Sequence, residues 1–195
     1  MISLSALNKI HQKGLFGDYK NKNKNEIITI SELKNLKIIQ IVHYSKSNIK
    51  ISSINLDNIK FPGSSMQVNS NDETRILWNG PSNWMVISKN KDILNKIKKK
   101  CDDKNFAITD LSHSKTAIEL KGNNSKEILK KGCPINFNEF KLNNCANSVF
   151  HGINITIDVT NENLETLRIL ALRSFGESPY HSITDSCLED GYQGI

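Results

Sequence analysis

Arg75-Ile76-Leu77-Trp78-Asn79-Gly80-Pro81-Ser82-Asn83-Trp84-Met85-Val86-Ile87-Ser88 reads as two apolar runs around a turn. Each run is short and rich in β-branched and aromatic residues, which favours a pleated, half-buried strand. Pro81 fixes its own φ and Gly80 admits positive φ, so the middle of the stretch is turn chemistry. A helix is predicted over about 91–100, with Ile93, Leu94 and Ile97 on one face. The order is strand, strand, helix.

Working outward, the same order recurs. Residues 106–110 and 116–120 are predicted strands around a Ser112-His113-Ser114 turn. Their helix runs over about 124–131, with Ile128 and Leu129 facing inward. Gly132 is suited to end it and Pro134 lies just beyond. Strands follow at 146–150, 153–159 and about 166–172, then a helix over about 178–188. Leu164, Leu167 and Ala171 also fit a helical face, so the third of these strands has a competing reading. Upstream, 37–44 is β-branched and reads as a buried strand, and 48–54 alternates Ile with polar residues. Phe61-Pro62-Gly63-Ser64-Ser65 is a turn. The pattern ββα, ββα, βββα implies an α+β fold, antiparallel sheets with helices on one face. The expected organisation is a flexible N-terminal arm over 1–26, a first α+β subdomain over 27–104 and a second over 105–195. Within the arm, 5–13 is a short predicted helix, and the Lys/Asn run 20–25 is a linker with nothing to bury. An arm of this kind and the loop 136–144 are the expected interface pieces.

Composition excludes several function classes. The chain has 195 residues, a formal net charge of +6 and 26 basic residues, of which only Arg75, Arg168 and Arg173 are arginine. The lysines are scattered, and no arginine-aromatic platform for nucleic acid is present. The run Lys96, Lys98, Lys99 and Lys100 is a solvated helix end, where cations suit the helix dipole. The mean hydropathy is −0.42, and no stretch approaches the roughly 20 apolar residues needed to span a membrane. No secretory leader is legible at the start. Cys101, Cys133, Cys145 and Cys187 form no C-x-x-C pair or Cys/His cluster, so reduced, buried thiols in a cytoplasmic protein are expected.

Candidate chemistry is sparse. No G-x-G-x-x-G follows a strand and there is no P-loop, so no dinucleotide or phosphate fingerprint is present. Asp110, Ser112 and His113 invite a triad reading. Residues this close in one turn rarely reach triad geometry, and Asp110 and Ser112 are expected to hold the turn through backbone N–H groups. Cys133 follows a helix end, which disfavours a reactive thiolate. His11, His43, His151 and His181 are far apart in sequence, and Trp78 and Trp84 are expected core aromatics. Glu177, Asp185, Glu189 and Asp190 are expected on a solvated helix face. The chain therefore offers no catalytic, cofactor-binding or metal-ligating residue.

Four segments carry a resemblance. Residues 77–86 resemble a Leu-Gly-Pro-Asp-Glu-Trp-Leu-Leu type segment. Asp110-Leu111-Ser112-His113-Ser114-Lys115-Thr116 resembles an Asp-Val-Ser-His-x-Arg-Thr run. Leu129-Lys130-Lys131-Gly132-Cys133-Pro134-Ile135 resembles Leu-x-Lys-Gly-Cys-Pro-Leu, and Arg173-Ser174-Phe175 resembles Arg-Ser-Phe before a last helix. In this order they are similar to the gamma-subunit family of heterotetrameric sarcosine oxidase. The Asp110–His113 segment also resembles the aminomethyltransferase, or glycine cleavage T protein, superfamily over about 106–188, half of that fold. The resemblance implies an aminomethyltransferase folate-binding-domain-like fold and a structural subunit of a flavoenzyme that oxidatively demethylates sarcosine or a related N-methyl amino acid. It implies alpha, beta and delta partner chains. FAD, FMN, NAD and tetrahydrofolate are expected on the large chains and zinc on delta. The alternative is a stand-alone tetrahydrofolate-binding protein or one-carbon transferase. No folate pocket is legible in 106–188, so folate binding is not carried over.

Overall fold

The computed structural model describes residues 4–20, 22–23 and 26–195. The chain divides into two compact units, one built from residues 1–34, 114–142 and 147–195, the other from 35–113 and 143–146. The architecture is α+β, mostly antiparallel sheet with three α-helices among the described residues.

The smaller unit holds a five-stranded antiparallel sheet. Its order is Val68–Ser70, Thr74–Gly80, Asn83–Ser88, Lys37–His43, Phe106–Asp110. The opening stretch forms its central hairpin, with Ile76 opposite Val86 and Trp78 opposite Trp84. Register slips between Trp78 and Gly80, where Gly80 takes φ 153°. Ile39, Ile41, Ile76, Trp84 and Val86 form the core with Ile93 and Ile97 of the helix Ile93–Lys100. That helix also packs on the two-residue strand Asn55–Leu56.

The larger unit holds a seven-stranded sheet. Its order is Gly14–Phe16, Tyr192–Gly194, Ile28–Glu32, Lys115–Lys121, Thr166–Leu172, Ile153–Asn161, Cys145–Phe150. Lys115–Lys121 pairs antiparallel with Ile28–Glu32 and with Thr166–Leu172, Thr166–Leu172 pairs antiparallel with Ile153–Asn161, and Tyr192–Gly194 runs parallel to Ile28–Ile30. The helices Ser125–Lys130 and Glu177–Cys187 pack on each other.

The structure departs from the expected pattern at four places. Residues 106–110 and 116–120 are not a hairpin: the first strand pairs with Lys37–His43, the second with Thr166–Leu172 and Ile28–Glu32. The expected division lay near residue 104, whereas the chain passes between the units at 34/35, 113/114, 142/143 and 146/147. Residues 48–54 hold a 3-10 turn, Ile51–Ser53, instead of a strand. Residues 5–13 form turns without an α-helix, and a strand opens at Gly14. The described part of the arm is held, since Leu7 is fully buried and Gly14–Phe16 pairs with Tyr192–Gly194. In the 20–25 segment, Asn21, Lys24 and Asn25 lie outside the described residues, while Lys22 Nζ donates to Asp190 O at 2.8 Å. The competing helical reading of 164–172 loses because Thr166–Leu172 is hydrogen-bonded to a strand on each side.

Candidate functional site

The Asp110–Thr116 segment carries the chain from one sheet to the other, and Asp110 and Ser112 are engaged in backbone hydrogen bonds there. Leu111 N–H donates to Ile38 O at 2.8 Å, extending the strand pairing one residue past Asp110. Ser112 N–H donates to Asp110 Oδ1 at 2.9 Å, an Asx turn, and Ser112 Oγ accepts from Ile38 N–H at 3.0 Å. Burial pushes the Asp110 carboxyl up. The Ser112 hydroxyl and N–H, with Lys37 and His113 nearby, outweigh it and hold the carboxyl below the usual range. His113 is exposed, and no hydrogen bond joins it to Ser112 among the described residues. A triad needs Ser Oγ to donate to His, whereas this hydroxyl is engaged with Asp110 and with Ile38 N–H. Replacing Ser112 with Ala leaves the buried Ile38 N–H without its acceptor, so the expected loss is about 1–3 kcal/mol, read from a urea unfolding curve.

The other three motif segments are also structural. Arg173 N–H donates to Ser114 O at 2.8 Å, which ties Arg173-Ser174-Phe175 to the start of Lys115–Lys121. A Cβ on Gly176 would sit 3.1 Å from Thr116 Cγ2, so the start of the last helix lies close against that strand. A Cβ on Gly132 would lie 2.6 Å from His151 Cδ2, and His151 N–H donates to Gly132 O at 3.1 Å. The Gly132-Cys133 element is thus the seat on which the turn between Cys145–Phe150 and Ile153–Asn161 rests. Trp84 is buried, its Nε1–H donating to Pro62 O at 2.8 Å and its ring meeting Phe61 edge-on at 5.4 Å. Trp78 is half-buried.

All four cysteines are buried and stand outside any disulfide. Cys133 Sγ lies 3.3 Å from Ser148 Oγ, and Cys145 Sγ 3.4 Å from Trp78 O. Burial first, with Asp102 adding, pushes Cys101 up to about 11. Burial pushes Cys187 up to about 12, Lys131 opposing and Asp190 adding. The folded chain therefore keeps protons that the unfolded chain releases once pH exceeds the ordinary value of 9.0. This contribution to stability is whole below that value and is lost as pH rises through about 11 and 12. The urea midpoint is expected to fall over that window, while Cys101 and Cys187 resist alkylation at neutral pH.

The remaining candidates are dispersed. His11 lies between Tyr180 OH at 2.9 Å and Ile195 O at 2.7 Å, and His43 stacks on Phe106 at 4.9 Å. His151 is exposed, and exposed His181 lies 3.7 Å from Glu177. Lys131 gathers Glu189 at 3.0 Å and Asp190 at 3.7 Å, and Asp185 is exposed. Lys96 is bound to Asp57 at 2.8 Å, leaving Lys98, Lys99 and Lys100 in solvent. No group of His, Cys, Asp and Glu suited to a metal ion occurs among the described residues. The loop 136–144 is anchored by fully buried Phe137 and Phe140, which meet edge-on at 5.8 Å.

Two features escaped sequence reading. Asp158 and Arg168 are opposite on neighbouring strands, with Asp158 fully buried and the guanidinium 3.5 Å from its carboxylate. A lone Arg in the apolar run Leu167-Arg168-Ile169-Leu170-Ala171 was the available signal. Around Arg173, whose Nη2 donates to Leu4 O, three large apolar side chains stay in solvent: Leu4 at 60%, Leu172 at 44% and Phe175 at 53%.

Comparison with known proteins supplies the frame for these observations. The family model described as sarcosine oxidase, gamma subunit family matches residues 55–189. The sarcosine oxidase subunit gamma of Corynebacterium sp. (strain U-96) is 26% identical over 119 residues, covering 60% of this chain. The match spans 57% of that relative's length. Among solved structures, heterotetrameric sarcosine oxidase from Corynebacterium sp. U-96 in complex with pyrrole 2-carboxylate shares the fold. The TM-score is 0.76 over 86% of this chain and 88% of the matched chain, at 20% identity. The glycine cleavage system aminomethyltransferase T from Bartonella henselae is more distant. Its TM-score is 0.60 over 80% of this chain and 45% of that one, at 8% identity. All four motif segments fall inside the span the family model matches, and the chain belongs to the sarcosine oxidase gamma subunit family.

Proposed function

We propose that this chain is the gamma subunit of a heterotetrameric flavoenzyme that oxidatively demethylates sarcosine or a related N-methyl amino acid, and that its own role is structural. The match of residues 55–189 to the gamma subunit family carries this reading. The fate of the motif residues supports it, because Trp84, Ser112, Gly132 and Arg173 are spent on packing and backbone hydrogen bonds. On this reading the partners are alpha, beta and delta chains, and the complex works in the cytoplasm. FAD, FMN, NAD and tetrahydrofolate belong to the large chains and zinc to delta. Leu4, Leu172 and Phe175 supply apolar contact area to a partner.

The likeness to an aminomethyltransferase is a likeness of fold, and it defines the competing activity, one-carbon transfer on tetrahydrofolate. Titration of the full chain with tetrahydrofolate separates the two, with Trp fluorescence as readout. The subunit reading expects no saturable quenching up to millimolar ligand. Stoichiometric, saturable quenching would overturn it in favour of a folate-binding protein.

A further inference from the structure

One segment of the larger unit is attached differently from the rest. Residues 4–18 add only the three-residue strand Gly14–Phe16 to the sheet, and that strand stands at the edge, paired on one side with Tyr192–Gly194. The segment buries one large apolar side chain completely, Leu7. Its other fastenings are point contacts. Leu7 N–H donates to Glu32 Oε1 at 3.1 Å, and Arg173 Nη2 donates to Leu4 O. His11 Nε2 must donate to the Ile195 carbonyl, 2.7 Å away, so in the neutral ring Nδ1 is left to accept from Tyr180 OH at 2.9 Å. Asp18 N–H donates to Leu188 O at 2.8 Å, and Phe16 stacks on Tyr192 at 5.1 Å.

The seam between this segment and residues 188–195 is lined by glycine. A Cβ on Gly194 would fall 2.0 Å from Gln12 O, on Gly191 2.8 Å from Asp18 O, and on Gly17 2.3 Å from Leu188 O. Such close backbone approach requires glycine at these three positions, so side-chain packing across the seam is concentrated in the Phe16–Tyr192 stack. Beyond it, attachment changes character: Ile195 N–H donates to Ile30 O at 3.0 Å, and Ile28 and Ile30 are fully buried.

We propose that residues 4–18 form a strap, latched by His11 and by the glycine seam, that opens as a unit while the rest of the seven-stranded sheet stays folded. Opening uncovers the outer backbone edge of Tyr192–Gly194 and the otherwise buried rings of Tyr180 and Tyr192. Sub-global openings are drawn from segments with few buried contacts and single-sided pairing, and this segment has both properties.

Hydrogen exchange followed by mass spectrometry on the full chain tests this, using the wild type, His11→Ala and Gly194→Ala. The His11 variant removes the latch without altering the backbone, which guards against a Gly194 variant that fails to fold. Peptides covering 4–18 are expected to exchange faster than those covering 115–121 and 166–172. In the variants they are expected to exchange at least tenfold faster again, with the two core strands unchanged. Strap peptides that exchange in step with the core strands, or that neither variant accelerates, would overturn the proposal.

Discussion

Replacing Arg168 with Met lowers the stability of the chain by about 3–5 kcal/mol, because it removes the guanidinium from a carboxylate that has no access to water. Asp158 and Arg168 face each other across the pairing of Ile153–Asn161 with Thr166–Leu172. A buried carboxylate deprived of its cation is far from its solvated reference state, and the loss exceeds what the ion pair contributed. The double replacement Asp158→Leu with Arg168→Met removes both charges and is expected to recover most of the loss. Urea unfolding of the wild type, both single variants and the double variant gives the coupling. If the single Arg168 variant costs under about 1 kcal/mol, the pair is not the electrostatic centre of this sheet.

Trp84→Ala is expected to cost a similar amount, about 3–5 kcal/mol, through a different mechanism. The indole fills the core of the five-stranded unit beside Phe61, Ile41 and Ile76, and alanine leaves a cavity there. The same change strips Pro62 O of its donor. Trp84→Phe separates the two effects, since it keeps most of the apolar volume and loses only the hydrogen bond, for which about 1–3 kcal/mol is expected. Chemical denaturation monitored by circular dichroism reads both variants.

What the sequence revealed follows from which interactions are local. The strand pair Thr74–Gly80 and Asn83–Ser88 was legible because turn chemistry and β-branched runs sit side by side. The helices at Ile93–Lys100, Ser125–Lys130 and Glu177–Cys187 were legible from their apolar spacing and from Gly132. Sheet membership was not, because nothing local tells Phe106–Asp110 to seek Lys37–His43 across the chain while Lys115–Lys121 turns elsewhere. The three-residue strands Gly14–Phe16 and Tyr192–Gly194 are too short to carry a period, and their pairing rests on glycine at close backbone contacts. The role of Asp110 in holding the turn was readable from its spacing to Ser112, whereas the bond from Ile38 N–H to Ser112 Oγ was not, since it joins residues 74 apart in sequence. The exposed Leu4, Leu172 and Phe175 were not, since a strand or arm sequence does not say which apolar side chains remain uncovered.

The central claim concerns assembly, so the most direct measurement is native mass spectrometry with a visible spectrum on the affinity-tagged chain, co-expressed with the open reading frames beside its own. The account predicts a yellow, flavin-absorbing complex in which this 22.0 kDa chain is one of four different subunits. A colourless preparation in which the chain is soluble, folded and alone would contradict it.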